Sequence, residues 1–93
     1  NSTHAAQVVY NLSIALRALG QQRVAIPQLQ QLSEASVDRD VMDDATLLLA
    51  ELQTDVQAWN DAKATLRSFL RRFPKSPLIL DAKAKLAQLE LLH

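Results

Sequence analysis

Cysteine is absent from the 93 residues, which excludes disulfides, thiol redox chemistry and thiolate metal sites and leaves the compartment open. Glycine occurs once and proline three times, so the chain has few of the residues that punctuate β-rich folds. Aromatic residues make up 4% of the chain, and its 48% apolar content rests mainly on Leu and Ala, which are among the best helix formers. The longest unbroken apolar run is residues 47–50, far short of the roughly 20 residues that span a bilayer. No secretion-signal pattern is present, and the chain opens on Asn1 without an initiator methionine, so we expect a piece of a longer or processed protein.

The formal net charge is zero, which argues against nucleic-acid binding driven by phosphate neutralisation. The charge is nevertheless segregated. Residues 1–60 hold three basic against seven acidic side chains, and residues 61–93 hold seven basic against three acidic. Such an asymmetry can guide head-to-tail association or docking against neighbouring segments.

What the chain does have is repetition. Leu12, Leu49 and Leu86 stand 37 residues apart, each followed by a small residue, Ser13, Ala50 and Ala87. Ala25 with Ala62 and Leu29 with Leu66 recur at the same interval. Periods of 20–50 residues mark stacked supersecondary units, each unable to bury its apolar face alone.

Five helices follow from the apolar spacing. The first is expected over about residues 3–19, with Val8, Leu12, Ala15 and Leu19 as its inward stripe and Gly20 as a left-handed stop. The second begins near Gln22 or Arg23 and runs to about Ala35, carrying Leu29 and Leu32. Pro27 has no N–H to donate, so a late start or a loosened first turn is expected. The third is capped by Asp38 or Asp40, has Asp43 and Asp44 in its first turn, and reaches about Gln53 with Leu48, Leu49 and Leu52 buried. The fourth covers about residues 57–72, with Trp59, Ala62, Leu66 and Phe69 inward, and Pro74 prevents its continuation. Ser76 and Pro77 read as the cap and first position of a fifth helix over about residues 77–91. Short connections make neighbouring helices antiparallel hairpins, in units of about residues 3–37, 40–74 and 77–93 of one domain.

At these residues the chain resembles the tetratricopeptide repeat family. The second unit carries the pattern in Leu49, Ala50, Trp59, Ala62 and the closing Pro74. The first matches at Leu12, Ser13, Gly20 and Ala25, with Val37 in place of the proline. The period exceeds the family's usual 34 residues. The string from Arg71 to Asp81 resembles the longer repeats of bacterial envelope proteins, including outer-membrane assembly lipoproteins and TolA-binding periplasmic coordinators. The resemblance implies an all-α right-handed superhelix of about two and a half helix hairpins, a non-catalytic scaffold for protein–protein interaction, and a place in the periplasm or on the periplasmic face of the outer membrane. It calls for no cofactor.

The resemblance also implies that the first helix of each unit lines a concave groove that takes a peptide or helix of a partner. The residues so placed are Gln7, Tyr10, Asn11, Ile14 and Arg17; Asp44, Leu47, Glu51 and Asp55; and Asp81, Ala84 and Gln88. Apolar Tyr10, Ile14 and Leu47 beside acidic Asp44, Glu51 and Asp81 favour a basic amphipathic segment. The alternative is a structural module that self-associates or supports a neighbouring domain. Leu86, Leu89, Leu91 and Leu92 make the last helix more apolar than a solvent-facing end helix should be, which suits a homo-oligomer. A basic row, Lys63, Arg67 and Arg71 with Arg72 and Lys75, shares a helix face, but without interleaved aromatics it reads as a solvated face rather than a nucleic-acid site.

No catalytic or metal site is expected. His4 and His93 lie at the chain ends, where a general base has no burial to tune it. The carboxylates Asp38, Asp40, Asp43 and Asp44 surround a helix start, where acidic residues are expected anyway, without histidines or a glycine-bearing loop. The glycosylation pattern at Asn11 falls mid-helix, where modification is disfavoured, and that at Asn1 sits at the first residue.

Overall fold

The computed structural model describes residues 2–34 and 39–93, and the side chains of residues 5–32 and 41–93. The capping expectation for Asp38 and for the Asp40 side chain, the end of the second helix at Ala35, the unit boundary at Val37, the side chain of His4 and the pattern at Asn1 lie outside the described residues. Among the described residues there are five helices and no strand: α1 (Ser2–Ala18), α2 (Gln22–Glu34), α3 (Arg39–Asp55), α4 (Trp59–Arg72) and α5 (Ile79–Leu92). Each helix packs on its neighbours in sequence, and α1 also reaches α3. None of them is long and apolar enough to cross a membrane.

The repeat is written into the backbone as well as the side chains. At the end of α1, Gly20 takes φ 73°; its N–H bonds the Arg17 carbonyl at 3.0 Å and the Gln21 N–H bonds the Leu16 carbonyl at 2.8 Å. At the end of α3, Gln57 takes φ 65°, the Gln57 N–H bonds the Thr54 carbonyl at 3.0 Å and the Ala58 N–H bonds the Gln53 carbonyl at 2.8 Å. Both are Schellman closures, displaced by the same 37 residues, so α2 and α4 start in register at Gln22 and Trp59. Only glycine holds this left-handed conformation without a Cβ penalty of about 1–2 kcal/mol. We therefore expect Gln57→Gly to stabilise the fold by about 0.5–1 kcal/mol once the extra freedom glycine gives the unfolded chain is subtracted. Urea denaturation measures this, and a loss of stability on substitution would contradict it. Gly20→Ala should go the other way through backbone strain alone, since nothing lies within 4 Å of the added Cβ.

Two helix starts differ from their expected form. Helix α2 begins at Gln22 and simply continues through Pro27. The adjustment falls in its first turn, where the Val24 N–H bonds Gln21 at three residues' separation (3.1 Å) and the Ala25 bond to the same carbonyl stretches to 3.4 Å. Helix α5 begins at Ile79, not at Pro77, with Leu78 as its cap residue. Ser76 is two residues too early to cap it: its hydroxyl accepts the Leu78 N–H at 3.0 Å and donates to Asp43 Oδ2 at 2.7 Å, pinning the α4–α5 loop to α3.

The core is built in two clusters. Ala25 and Leu29 of α2 pack with Ala45, Leu48, Leu49 and Leu52 of α3. Ala62, Leu66 and Phe69 of α4 pack with Ala82, Leu86 and Leu89 of α5 and with Leu47 and Ala50 of α3. The expected inward stripe of α1 is a correction. Leu12 is 44% exposed while its repeat equivalents Leu49 and Leu86 are 5% and 8% exposed. Val8 and Leu19 are open as well, and Ala15 too is exposed. Instead α1 buries Ala6 and Ser13, with Val9, Tyr10 and Leu16 packed against the first cluster. Ser13 satisfies its hydroxyl by donating to the Val9 carbonyl at 2.8 Å, which lets a polar residue occupy a fully buried position.

Candidate functional site

Side chains from the first helix of all three units meet at one cavity of about 350 Å³. Helix α1 contributes Arg17; α3 contributes Ala50, Glu51, Thr54 and Asp55; α5 contributes Lys85, Gln88, Leu89 and Leu92. Trp59 and Leu66 of α4 and the terminal His93 complete the wall. The walls are thus apolar at Ala50, Leu66 and Leu89 and charged where α1 and α3 approach one another.

That approach is held by Arg17. Its Nε donates to Asp55 Oδ2 at 2.8 Å and a terminal guanidinium nitrogen donates to Asp55 Oδ1 at 3.2 Å, a bidentate pair. The other terminal nitrogen reaches Glu51 Oε2 at 3.3 Å, and the Gln22 side-chain amide also donates to Asp55. The hydrogen bond to Asp55, opposed by partial burial, holds the guanidinium above its ordinary pKa. These contacts join residues 34 and 38 apart in sequence, so they tie the first unit to the second. Being partly exposed, each pair is worth on the order of 0.2–1 kcal/mol.

Four of the groove residues expected from sequence, Arg17, Glu51, Asp55 and Gln88, come together in this cavity. The others do not line it. Leu47 is buried in the second core cluster with Leu86 and Phe69, because the face of α3 that carries it packs against α4. Gln7, Asn11 and Ile14 are exposed on α1, with the Gln7 amide donating to Asn11 at 3.0 Å. Tyr10 is half-buried, and its hydroxyl pKa is raised first by burial and then by Asp44, Glu51 and Asp43. Asp44 is itself raised, by burial and then by Asp43. Asp81 lies on α5, where it accepts from Lys85 at 3.1 Å, and Ala84 is exposed nearby.

The acidic groove expected from Asp44, Glu51 and Asp81 is therefore a charge-balanced one. Glu51 and Asp55 are engaged by Arg17, and Lys85 adds a second cation to the lining. Sequence reasoning left out Trp59, Lys85, Leu92 and His93 as lining residues. Trp59 and His93 stack at 3.7 Å between centroids and 9° between planes, so His93 is held against α4 rather than loose at the chain end. The two are 34 residues apart and belong to no shared repeat column, so no periodic signal could have paired them.

The proposed self-association set divides in two. Leu86 and Leu89 are buried within the chain, while Leu91 and Leu92 are 84% and 62% exposed. In the basic row Arg67 donates to Glu90 at 3.0 Å, and the Arg72 guanidinium lies 5.0 Å from the Phe73 ring centroid. Arg71, Arg72 and Lys75 border a second, shallower opening beside Asp43 and Ser76. Among the described residues no group of three or more His, Asp or Glu side chains is placed to hold a metal ion, and every buried side-chain nitrogen or oxygen has a hydrogen-bond partner. No family model, curated protein or solved structure matches the chain.

Proposed function

We propose that this chain is a non-catalytic interaction scaffold of the tetratricopeptide-like kind, which holds a short segment of a partner protein in the cavity where the first helices of its three units converge. The observation that carries the reading is the composition of that cavity. Arg17, Glu51, Asp55, Lys85 and Gln88 stand around apolar Ala50, Leu66 and Leu89. An apolar floor supplies affinity, and a few convergent polar groups set orientation. Arg17 is paired across helices with Glu51 and Asp55, and Lys85 within α5 with Asp81, which suits a surface that positions a ligand better than one that transfers protons or electrons.

The 37-residue recurrence of both the Schellman closures and the buried Ala and Leu columns supports stacking of like units, and hence the right-handed superhelix that the family resemblance implies. The resemblance of the segment from Arg71 to Asp81 to envelope repeats supports a periplasmic setting. A second reading, a module that associates with itself or steadies a neighbouring domain, draws on the exposed Leu91 and Leu92.

Site-specific photocrosslinking separates these. A photoreactive residue in place of Gln88, inside the cavity, should give adducts to a different protein in the cells that make this chain. The same residue in place of Ala64, exposed on α4 and outside the cavity lining, should give none. Adducts to a second copy of the chain favour the second reading. No adduct from position 88, or equal adducts from both positions, overturns the cavity as the binding site.

A further inference from the structure

Ala5, Val8, Leu12 and Ala15 on α1, with Leu19 directly after it, follow one another at alternating intervals of three and four residues, which places them in one stripe along the helix. Displaced by the repeat, the stripe becomes Met42, Ala45, Leu49 and Leu52 on α3, with Val56 directly after it, and Ile79, Ala82, Leu86 and Leu89 on α5. On α3 and α5 it is covered. Ala45, Leu49 and Leu52 share a cluster with Ala25 and Leu29 of α2, and Ala82, Leu86 and Leu89 share one with Ala62, Leu66 and Phe69 of α4. On α1 it is bare, with Val8 61% and Leu19 71% exposed beside the half-open Leu12.

The two covering helices have a common pattern: an alanine, a leucine four residues later and a large apolar residue three further on. In α2 these are Ala25, Leu29 and Leu32, and in α4 Ala62, Leu66 and Phe69. The small residue lets the helices approach closely, and the two large ones fill the space between successive turns of the stripe. The flanks of the bare stripe also suit burial. From Ala5 to Gln22 the only charged side chain is Arg17, and it is already engaged by Glu51 and Asp55. A helix docking here would strip water from no unpaired charge. The outer face of α5, by contrast, carries exposed Asp81, Lys83 and Glu90.

We infer that the α1 stripe is a docking site for an amphipathic helix that carries this same Ala–Leu–Leu/Phe spacing, seated on α1 as α2 is seated on α3 and α4 on α5. A second copy of this chain is a poor occupant. Its own helices of the right pattern have Ala25, Leu29, Ala62, Leu66 and Phe69 fully buried, so neither is free to dock without leaving its own core. This surface is separate from the cavity, which Arg17 alone lines among the described residues of α1, and the inference stands or falls independently of the proposed function.

The test uses the full chain and, as probe, a fluorescently labelled peptide of residues 57–75, which holds α4 and its flanks. Titration followed by anisotropy should show saturable binding that changes little with added salt. Leu12→Asp in the chain, or Leu66→Asp in the peptide, should weaken it by about tenfold or more, because each puts a carboxylate where a leucine is buried on docking. The half-exposed position of Leu12 allows Leu12→Asp to fold, which its melting curve checks. Should it not fold, Leu19→Gln at a more open position takes its place. Absence of saturable binding up to the solubility limit, or binding retained by both variants, overturns the inference. So does a dimer in sedimentation that Leu12→Asp disperses, since that would assign the stripe to a second copy.

Discussion

Leu49→Ala is expected to destabilise the chain by about 2–5 kcal/mol, while Leu12→Ala, in the same column of the repeat, should change stability by no more than about 0.5 kcal/mol. Leu49 is 5% exposed and packed with Ala25, Leu29 and Leu52, so its truncation leaves a void that surrounding helices fill only in part. Leu12 is 44% exposed, and water occupies the space its methyl groups leave. For a domain of this size each kcal/mol moves the melting temperature by roughly 4–8 °C, so circular dichroism melting separates the two variants without ambiguity. Equal losses at both positions would show that the outer face of α1 is covered, and would refute the placement of α1 at the edge of the fold.

Phe69→Ala should be still more damaging, by about 3–5 kcal/mol. Phe69 is fully buried at the meeting point of α4, α5 and the Leu47–Ala50 face of α3, with its ring tilted against Phe73 at 5.4 Å. Small domains have only about 5–15 kcal/mol of total stability, so the variant should lose about a fifth of it or more and melt more than about 10 °C lower. Phe69→Leu installs the residue found 37 positions earlier at Leu32 and should recover most of that loss, since it keeps the apolar contact and most of the volume. Urea denaturation of the three proteins measures both effects. A leucine variant as unstable as the alanine one would mean that the aromatic shape, and not apolar volume, is what the site requires.

The helices were legible because their signals are local. Gly20 closes α1 in the left-handed conformation expected of it, Pro74 follows the end of α4, and Leu48, Leu49 and Leu52 are buried on α3 as their spacing required. Where the local signal was ambiguous the structure went its own way. Pro27 sits inside α2 because the chain needs only one bond fewer there, and the first turn absorbs it. Ser76 and Pro77 have the right residue types for a helix start, yet the Ser76 hydroxyl is held by Asp43 and the helix begins two residues later.

The candidate site was legible only in part, and for a different reason. Arg17, Glu51, Asp55 and Gln88 could be placed on the right helices by counting from the repeat. Nothing in the count shows that Arg17 would reach across to Asp55 and neutralise it, or that Leu47 would turn into the core. Both depend on where a neighbouring helix lies, and so does the stacking of Trp59 on His93.

The amino-acid order alone determined the number of helices, the 37-residue unit and the residue types of each column, because helix formation and chain reversal are decided within a few residues of the backbone. Which column is core and which is surface was decided only by tertiary structure. Leu12, Leu49 and Leu86 occupy the same column of the repeat and differ in burial because α2 and α4 lie over the last two and no described helix lies over the first.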